Sequence, residues 1–456
     1  MNSKQERLYG WGHSPLATCR SWRPEKEREL RELLRQAGSG TLLARGMGRA
    51  YGDAALQPAG VIRTERLDHL IEFDSEHGLL RAQAGVTLAE VMDFAVPRGF
   101  LPPVIPGTRN ITLGGAFACN VHGKNHFRSG DFAEHVQSIR LLLADGRSLE
   151  CSAKEHSDLF WATAGGMGMT GIIQEITLRL QRIASLSLKT TSYRVDSISD
   201  MIAAFEHYRD RSDYMIGWID HMARGDALGS GVFESASHIT TDEGGEPLER
   251  YRPLKPGMTI PCFAPSWLLN RYSMALYNRL RFRRYQHERR SDVVHFDSFF
   301  HPLDRLGHWY RLYGRRGFFQ YQCLIPETPQ VAHHAERFLE MLQKERLFSY
   351  LAVIKYHRDG LGMLTFPLKG YSLALDFPNT KRVRAFLPQL SRWVAERGGR
   401  VYLAKDALLT PELFRHMYST HAGLWQEVLE EVDPAARFSS LMSDRLSWKP
   451  WRLPSA

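Results

Sequence analysis

The stretch from Pro106 to His126, P-G-T-R-N-I-T-L-G-G-A-F-A-C-N-V-H-G-K-N-H, holds the densest set of residues that could do chemistry. Its glycines lack a Cβ, so the backbone can adopt strained dihedral angles and approach a ligand closely. Thr112, Asn120, His122 and Lys124 supply hydrogen-bond donors and acceptors at short intervals. This composition predicts backbone wrapped around a large, flat, polar ligand. An ordinary glycine-rich surface loop is the alternative that this stretch alone leaves open.

A second stretch, from Leu42 to Asp53, consists of a short apolar strand followed by a loop of alternating glycines, L-L-A-R-G-M-G-R-A-Y-G-D. Successive backbone N–H groups in such a loop can form an anion-binding nest, and Arg45 and Arg49 stand beside it. The loop is not a Walker A motif, because no Gly-Lys-Ser/Thr follows, and it is not a Rossmann fingerprint. The match to G-x-G-x-x-G at Gly166–Gly171 is rejected as a nicotinamide site, since a predicted helix precedes it and a predicted strand follows it.

Together the two stretches resemble the flavin-binding domain of the vanillyl-alcohol-oxidase, or p-cresol-methylhydroxylase-like, family. In that family R-G-x-G-x-x-x-G after a strand holds the FAD pyrophosphate, and a later P-G-T…G-G segment lines the isoalloxazine. Further motifs resemble the branch of the family that oxidises a lipid-linked ribose: V-I-P-G-T-R, C-N-V-H-G-K-N-H, F-W-A-T-A-G-G-M-G-M-T-G-I-I, F-F-Q-Y-Q and A-K-D. The resemblance runs from Gly10 to Asp444, which is nearly the whole chain.

The resemblance implies an FAD site in which the first loop binds the pyrophosphate by backbone N–H groups. Later segments would follow the ribityl chain and the flavin ring. The implied cofactor-binding residues are Ala44, Arg45, Gly46, Met47, Gly48, Arg49, Ala50, Tyr51, Gly52, Asp53, Gly107, Thr108, Thr112, Leu113, Gly114, Gly115, Cys119, Asn120, Val121, His122, Gly123, Ile172, Ile173 and Tyr402. Some relatives attach FAD covalently through a histidine directly after R-G-x-G. Arg49 holds that place here and cannot make the bond, so we expect non-covalent FAD.

Oxidation of an alcohol by a flavin moves a hydride from the carbinol carbon to flavin N5 while a base removes the hydroxyl proton. The catalytic residues implied by the resemblance are Lys405, His122 and Lys355, and the substrate-facing residues are Lys124, Trp218, Gln320, Gln322 and Ser372. Lys405 would supply a cation beside flavin N1 and C2=O. Without the resemblance, Lys405 also fits a surface lysine, the polar strand residues fit a solvated face, and Trp218 and Tyr51 fit core residues.

Four positions depart from the branch that the chain resembles. Ala374 stands for a cysteine, Ser372 for an asparagine, Phe300 for a tyrosine and His357 for a phenylalanine. All four fall in the predicted substrate domain, so they leave the identity of the substrate open without affecting the predicted flavin site.

The composition is that of a globular chain with a sizeable core. Of 456 residues, 43% are hydrophobic, and the length predicts two domains or more. The apolar runs stop well short of the about 18 residues that a membrane span needs, and the N-terminus has no secretory hydrophobic segment. The five cysteines are scattered without C-x-x-C spacing, which indicates a reducing compartment and no metal site. We expect a cytoplasmic protein.

The net charge of +9 is unevenly distributed along the chain. Between Arg250 and Arg290 the only acidic residue is Glu288, and the run at 279–290, R-L-R-F-R-R-Y-Q-H-E-R-R, is the most basic part. A solvated helix face is one interpretation, and an anionic partner is the other. The aromatic and apolar stretch at 260–277 favours an anionic membrane surface or a lipid tail, with the protein peripheral on the inner membrane. No recognisable nucleic-acid-binding fold accompanies the charge.

The elements that position these residues predict an α+β fold in two domains. Residues 1–184, with residues 400–456 returning to them, would form the FAD-binding domain, and residues 185–399 a substrate domain with an antiparallel sheet covered by helices. The predicted helices are Pro24–Gln36, Thr87–Arg98, Ser157–Ala164, Ser199–Arg209, Val331–Lys344 and Thr380–Arg397. The predicted strands are Thr41–Ala44, Gly60–Arg63, Leu79–Ala84, Val136–Ala144, Arg147–Cys151, Gly171–Leu180, Tyr214–Asp220, Phe318–Leu324, Ser349–Tyr356, Tyr371–Phe377 and Arg400–Asp406.

The sequence therefore predicts an FAD-dependent enzyme that oxidises a secondary hydroxyl of a sugar, with a polyprenyl-phosphate-linked ribose as the expected substrate and 2′-epimerisation as the wider reaction. A soluble aldonolactone or alditol oxidase, and a non-catalytic membrane-surface binding protein, are the alternatives. The sequence leaves two questions open: whether the electron acceptor is oxygen or a quinone-like partner, and whether a keto-sugar reductase acts downstream.

Overall fold

The structure is a computed structural model that describes residues 2–36, 38, 40–265, 267–285 and 289–448. Its helices are combined with mostly antiparallel sheets, which confirms the α+β class. Residues 286–288 of the basic run and residues 449–456 of the predicted C-terminal return lie outside the described residues.

The strands belong to three larger sheets and two short pairs. In chain order they are β1 (Lys4–Tyr9), β2 (Leu16–Trp22), β3 (Leu43–Arg45), β4 (Val61–Arg63), β5 (Leu70–Asp74), β6 (Leu79–Gln83), β7 (Phe100–Leu101), β8 (Val136–Leu142), β9 (Ser148–Cys151), β10 (Ile172–Arg179), β11 (Gln181–Arg182), β12 (Ser187–Val195), β13 (Tyr214–Ile219), β14 (Gly231–His238), β15 (Met258–Thr259), β16 (Arg290–His295), β17 (Leu306–Gly307), β18 (Phe318–Pro326), β19 (Ala352–His357), β20 (Gly370–Pro378) and β21 (Arg400–Val401).

The helices cover the sheets and connect their strands. They are α1 (Glu27–Gln36), α2 (Leu88–Ala95), α3 (Leu113–Ala118), α4 (His126–Ser129), α5 (Ser157–Thr163), α6 (Ile198–Tyr208), α7 (Arg271–Phe282), α8 (Phe296–Phe300), α9 (Val331–Lys344), α10 (Lys381–Ala395), α11 (Pro411–Met417), α12 (Ser419–Val432) and α13 (Leu441–Arg445). Short 3₁₀ turns occur at Val96–Arg98, Phe132–His135, Gly225–Ala227, Leu248–Arg250, Trp309–Tyr313 and Leu403–Lys405.

The first part of the chain forms a four-stranded sheet, β1-β2-β4-β3, and a five-stranded sheet, β5-β6-β10-β8-β9. The predicted hairpin of β8 and β9 is confirmed, and Gly146 in its turn has a φ of +90°, which glycine adopts without steric cost. Helix α2 is capped by Thr87, whose side chain accepts from the backbone N–H of Glu90 in the predicted capping box. Strand β3 ends at Arg45, where the first glycine loop begins.

The later part of the chain forms an eight-stranded sheet in the order β16-β12-β14-β13-β19-β20-β18-β21. Its neighbouring strands run antiparallel, as predicted. Helices α6, α9 and α10 pack against its strands. Strands β18 and β20 are buried along almost their whole length, so polar residues on them must find partners within the protein.

Several predicted elements have different bounds in the structure, and two of them show a physical reason. The first helix begins at Glu27 rather than Pro24, because the Glu29 carboxylate accepts from the backbone N–H groups of Glu25 and Lys26 and fixes them outside the helix. The predicted strand from Arg400 to Asp406 is wrong beyond Val401. Within this segment only β21 pairs with another strand, β18. The chain then turns as a 3₁₀ helix at Leu403–Lys405. The Asp406 side chain accepts from the backbone N–H groups of Leu408 and Leu409, which turns the chain away from the sheet.

The segment after β21 contacts elements from the first part of the chain. The Trp425 indole N–H donates to the Ala162 carbonyl at 3.0 Å. Arg445 holds two carboxylates at once, with Nη2 at 2.9 Å from both Asp53 Oδ1 and Asp406 Oδ2. This guanidinium therefore joins the glycine loop after β3 to the turn after β21. Among the described residues, no helix is long and apolar enough to span a membrane.

Candidate active site

The glycine-rich loops and the eight-stranded sheet enclose a cavity of about 720 Å³. Its wall comes from the loop after β3, the segment between β7 and α4, the chain before β10, the strands β13, β14, β18, β19 and β20, the regions of α7 and α8, and residues 402–405. Cavities of this size are typical of cofactor and small-molecule sites. The segments that the sequence analysis assigned to flavin binding therefore meet at one place.

The loop after β3 packs against the second glycine stretch with no room for side chains. A Cβ on Gly46 would lie 2.2 Å from Thr112 Oγ1, and Gly48 has a φ of +63°. Arg45 supports this loop from within, donating to the carbonyls of Ala55 and Tyr9 at 2.8 Å. The Arg49 guanidinium carbon lies 3.8 Å from the centre of the Trp11 ring, and its buried Nε has no hydrogen-bond partner among the described residues.

The second glycine stretch forms the opposite part of the wall. Thr112 caps α3 by accepting from the Gly115 N–H at 3.1 Å, which brings Gly114 and Gly115 to the cavity. A Cβ on Gly107 would meet nothing within 4 Å, so the glycine leaves open space in the wall that protein packing does not fill. The Thr108 hydroxyl donates to Asp304, which anchors this loop to the chain after α8.

These features fit FAD. The wall combines backbone-exposing glycine loops with an unpartnered, buried guanidinium nitrogen of Arg49 that an anionic group would satisfy. The cavity continues past Cys119 and Val121 to three lysines, so a long molecule with an anionic middle and a flat ring has a complementary surface. Among the described residues, no group of three His, Cys, Asp or Glu side chains could hold a metal ion.

Most of the predicted site residues lie on the cavity wall. Those on it are Ala44, Arg45, Gly46, Met47, Gly48, Arg49, Ala50, Tyr51, Gly107, Thr108, Thr112, Gly114, Gly115, Cys119, Val121, His122, Lys124, Ile173, Trp218, Gln320, Lys355, Tyr402 and Lys405. Those off it are Gly52, Asp53, Leu113, Asn120, Gly123, Ile172, Gln322 and Ser372.

The residues off the wall have structural partners instead. Asp53 is paired with Arg445, and a Cβ on Gly52 would lie 2.0 Å from the Asp406 carbonyl oxygen. Leu113 and Ile172 are core residues with no exposed surface. The Asn120 amide donates to the Leu361 carbonyl and accepts from the Ala133 N–H. For these residues contact with the cofactor stays a prediction, and the structure places them behind the cavity wall.

Gly123, Gln322 and Ser372 also lie behind the wall. A Cβ on Gly123 would lie 3.0 Å from the Ile105 carbonyl oxygen, so the chain passes close there. Gln322 Nε2 lies 2.8 Å from His122 Nε2 and 3.4 Å from Ser372 Oγ. The Ser372 hydroxyl is 2.7 Å from His357 Nε2. The substrate contacts of Gln322 and Ser372 stay predictions, and in the structure these side chains contact His122 and His357.

Three lysines face the cavity, of which Lys124 is buried and Lys355 and Lys405 are half-buried. Lys124 Nζ donates to the Phe299 carbonyl and lies 4.0 Å from the centre of the Phe299 ring. Burial lowers the pKa of Lys124, and of Lys355, to about 8. Lys405 Nζ lies 5.7 Å from the centre of the Tyr51 ring, and burial followed by repulsion from Lys355 lowers its pKa. All three amines can therefore change charge more readily than exposed lysines do.

A buried acid accompanies Lys405. Asp376 on β20 has no exposed surface and accepts from Gln320 Nε2 at 2.6 Å and from the Tyr313 hydroxyl at 2.8 Å. Burial raises the pKa of Asp376, while these two hydrogen bonds and the charge of Lys405 oppose the rise. Sequence reasoning missed Asp376. The alternation of β20 is the signal that could have found it, since every second residue of a strand points to the same face.

His122 is neutral. Burial of its ring, followed by the proximity of His357 and Lys355, holds the pKa of His122 well below its ordinary value. Its Nδ1 is buried without a hydrogen-bond partner among the described residues, and its Nε2 faces the Gln322 amide. The ring thus forms part of the wall and does not add a charge to it.

Other wall residues were not predicted as site residues. Trp11, Glu234, Phe299, Tyr277, Arg281, Asp304 and Trp309 are among them. Arg281 was counted with the basic surface segment, but its guanidinium carbon lies 4.7 Å from the centre of the Trp218 ring on the cavity wall. Glu234 carries no sequence signal beyond its place on a strand, because its neighbours Lys124 and Arg281 are distant in the chain.

The fold and the cavity define an FAD-binding oxidoreductase, and comparison with known proteins agrees. Residues 21–152 match the family described as FAD binding domain. Decaprenylphosphoryl-beta-D-ribose oxidase of Mycolicibacterium smegmatis is 34% identical over 455 residues, covering 97% of both chains. The chain therefore belongs to the family of that oxidase, as the sequence motifs predicted.

Two further relatives match a smaller share of this chain. An uncharacterized protein of Streptomyces coelicolor is 32% identical over 380 residues, covering 79% of this chain and all of that protein. L-gulonolactone oxidase of Mus musculus is 24% identical over 203 residues, covering 44% of this chain and 45% of that protein. The protein is an FAD-dependent oxidase with a sugar-like substrate, and the alternative of a non-catalytic binding protein is set aside.

We predict that the FAD is not covalently attached. Arg49 occupies the position of the linking histidine and its guanidinium is stacked on Trp11, so it has no nucleophilic atom for the flavin. Precipitation of the purified protein with acid should release all of the yellow colour into the supernatant. Flavin fluorescence that stays with the denatured band on a gel would contradict this prediction. A relative with a histidine-linked flavin, treated in parallel, provides the positive control.

Proposed function

We propose that this enzyme oxidises a secondary hydroxyl of a sugar joined to a polyprenyl phosphate, namely the 2′-hydroxyl of a ribose. One observation carries the proposal: the cavity that Lys355 and Lys405 line is also lined by Tyr277, Arg281 and Tyr285, in and directly after α7. A single substrate with a sugar, an anionic linker and an apolar tail has chemistry that matches these surfaces. The relative from Mycolicibacterium smegmatis is named for such a substrate.

The outer face of α7 supports a lipid substrate and a membrane surface as partners. Met274, Asn278 and Phe282 point inward, whereas Tyr272, Leu276 and Leu280 are 69%, 59% and 51% exposed. The spacing of four residues aligns these apolar side chains in one stripe along the helix. Exposed arginines flank the stripe, at Arg271, Arg279, Arg283 and Arg284. An apolar stripe bordered by arginines is typical of helices that lie in the surface of an anionic membrane, which favours a peripheral position on the inner membrane.

The cofactor and the residues of the cavity wall have different roles in the proposed reaction. FAD, when bound, supplies a hydride acceptor for the carbinol carbon of the substrate. Lys405 supplies positive charge in a water-poor cavity, where a fixed charge stabilises developing negative charge more strongly than it does in water. Lys355 makes no hydrogen bond or ion pair with another described residue, and its pKa of about 8 allows its amine to take part in proton transfer near neutral pH. His122 borders the substrate region as a neutral ring.

A division into two domains accompanies this proposal. Residues 1–184 with 400–456 would form the FAD-binding domain, and residues 185–399 the substrate domain. The four- and five-stranded sheets, both from residues before 184, support the first part, and the eight-stranded sheet supports the second. The short strand β21 joins the eight-stranded sheet, so the return toward the first domain would begin after Val401. The keto-sugar product would require a reductase to complete a 2′-epimerisation.

A panel of substrates tests the proposal directly. We expect polyprenyl-phosphoryl ribose to bleach the flavin absorbance under anaerobic conditions, whereas free ribose and aldonolactones at equal concentration should not. The apolar tail contributes binding through α7, and so its removal should raise the concentration needed for half-maximal bleaching. Bleaching by an aldonolactone at an equal rate would favour the soluble aldonolactone oxidase. Reoxidation with oxygen and with a quinone, followed in the same samples, identifies the electron acceptor.

Replacement of Lys405 tests the electrostatic role. Lys405→Met keeps the apolar stem and removes the charge, so FAD should stay bound while flavin reduction by substrate slows by about 10²–10³-fold, the usual effect of losing one such donor. Lys405→Arg should restore little, because the planar guanidinium does not place its charge at the position of the ammonium. Rapid-mixing measurements of the reductive half-reaction give the rates. A methionine variant that reduces its flavin as fast as the parent would exclude the role.

Binding to lipid vesicles tests the membrane surface. We expect the protein to bind vesicles containing anionic phospholipid, and to be released as salt screens the attraction. The triple change Arg279→Gln, Arg283→Gln and Arg284→Gln should weaken binding, and so should Tyr272→Ser with Leu276→Ser. The matched control removes three exposed arginines from α1, by Arg28→Gln, Arg31→Gln and Arg35→Gln, and should bind like the parent. Co-sedimentation with the vesicles measures binding. Equal losses of binding in the two triple variants would show that net charge, and not the position of the arginines, determines it.

A further inference from the structure

Helix α7 borders two separate cavities. One is the cavity of about 720 Å³ described above, which Tyr277 and Arg281 of α7 help to line. The other has a volume of about 460 Å³ and lies between α7, strand β12 and the chain that connects β13 to β14. No described residue lines both. The second cavity is named the arginine pocket, after Arg194 on β12 and Arg279 and Arg283 in and directly after α7.

The helical repeat explains why neighbouring arginines of this segment reach different cavities. An α-helix turns by about 100° per residue, so side chains two positions apart point to nearly opposite sides. Arg281 therefore lines the larger cavity, whereas Arg279 and Arg283 line the arginine pocket. Arg279 and Arg283 are four residues apart, which places their side chains next to each other on one side of the helix.

The arginines of this pocket have unused hydrogen-bond donors. The side chains of Arg279 and Arg283 make no hydrogen bond or ion pair with another described residue. Like charges at this spacing repel each other and destabilise the helix. On β12, the Arg194 Nε is buried without a hydrogen-bond partner among the described residues, and the Asp196 carboxylate lies 3.5 Å from it. Three guanidinium groups thus surround the pocket, and an anion would satisfy them.

The rest of the wall fixes the place of these cations. The Arg194 guanidinium carbon lies 4.6 Å from the centre of the Phe282 ring, a contact that attracts a cation to the aromatic face. Asp220 is the acid among the described lining residues. Its Oδ1 accepts from the Asn278 amide at 2.8 Å and from the Met222 N–H at 3.0 Å, which ties α7 to the chain after β13. Three guanidinium groups and one carboxylate leave the wall with a net positive charge.

We propose that the arginine pocket binds a phosphate group, carried by a phospholipid headgroup or present as free phosphate. Guanidinium groups bind phosphate oxygens through charge-assisted, often bidentate hydrogen bonds, and the volume of the pocket lies in the range of small-molecule sites. A bound phosphate would remove the repulsion between Arg279 and Arg283. It would also join α7 to β12 through Arg194. The site is distinct from the substrate cavity, so this inference goes beyond the proposed oxidation.

The apolar stripe of α7 makes a lipid headgroup one source of this phosphate. Leu276 and Leu280 of the stripe stand three residues before Arg279 and Arg283, and residues three apart are neighbours on the surface of a helix. A phospholipid with its phosphate in the pocket would therefore have its acyl chains beside the stripe. Free phosphate offers the same hydrogen bonds without the chains, so a comparison of two probes identifies the source.

Binding of two soluble probes to the holoenzyme tests the inference. The probes are inorganic phosphate and a short-chain phosphatidylglycerol below its micellar concentration. Both are titrated at physiological salt, which screens loose attraction to exposed charges, and line broadening in phosphorus NMR spectra measures binding. Tighter binding of the phosphatidylglycerol would assign the pocket to a lipid headgroup, and tighter binding of inorganic phosphate would assign it to free phosphate. Lack of saturable binding of both probes would overturn the inference.

Substitution of the arginines locates the bound phosphate. Arg279→Gln combined with Arg283→Gln should weaken binding about 100-fold, or about tenfold for each charged hydrogen-bond donor that is lost. The matched control, Arg271→Gln with Arg284→Gln, removes the same charge from the same segment outside the pocket and should bind like the parent. Arg194→Gln removes the arginine that β12 contributes and should weaken binding about tenfold. Equal losses in both double variants, or no loss in Arg194→Gln, would mean that the probes bind exposed charge, and would overturn the inference.

Arg281→Gln distinguishes the arginine pocket from the larger cavity. Because Arg281 lines the larger cavity, its replacement should leave phosphate binding in place. Loss of binding in Arg281→Gln, with unchanged binding in Arg279→Gln combined with Arg283→Gln, would place the phosphate in the larger cavity and overturn the inference. All variants should stay yellow, which shows that they fold and retain FAD. The titrations use no sugar substrate, so their outcome is independent of the substrate panel that tests the proposed function.

Discussion

The close approach of backbone to backbone at Gly52 is the constraint on which the site depends. A Cβ on this residue would lie 2.0 Å from the Asp406 carbonyl oxygen, so only glycine allows these two segments of the chain to meet. The contact is reinforced where the Tyr51 N–H donates to the Ala404 carbonyl at 2.9 Å. These two contacts fix the first glycine loop against the turn that carries Lys405. The position of the lysine relative to the first glycine loop is thus set by backbone geometry, which is stiffer than a side-chain contact.

Several cationic groups line the cavity, and removing them from water is unfavourable unless neighbouring groups stabilise their charge. Buried cations are stable only when opposite charges or hydrogen-bond acceptors lie nearby. Asp376 and Glu234 meet this need at two of the lysines, while Lys124 also uses the Phe299 carbonyl. Aromatic faces serve the arginines in a similar way, as Trp11 does for Arg49. The arrangement gives a cavity that attracts anionic ligands and still leaves amines able to exchange protons.

Local sequence signals predicted the α+β class, several helices and strands, and the glycine loops that meet at the cavity. The Thr87–Glu90 capping box and the Asp145-Gly146 turn act within a few residues, so their outcome follows from the local sequence. Asp376 and Glu234 were missed because their importance depends on partners brought close only by the tertiary fold. Alternation along β20 groups Ser372, Ala374 and Asp376 on one face, but of these three Ala374 alone lies on the cavity wall, and Ser372 contacts His357.

The contact of Arg445 with Asp53 and Asp406 has a consequence for the order in which the protein matures. The first glycine loop is synthesised well before its two partners, the turn at Asp406 and the guanidinium of Arg445. Until then Asp53 lacks the cation that neutralises it, and the loop lacks the backbone against which it is fixed. We therefore expect a nascent chain that does not yet include Arg445 to lack a site that retains the flavin.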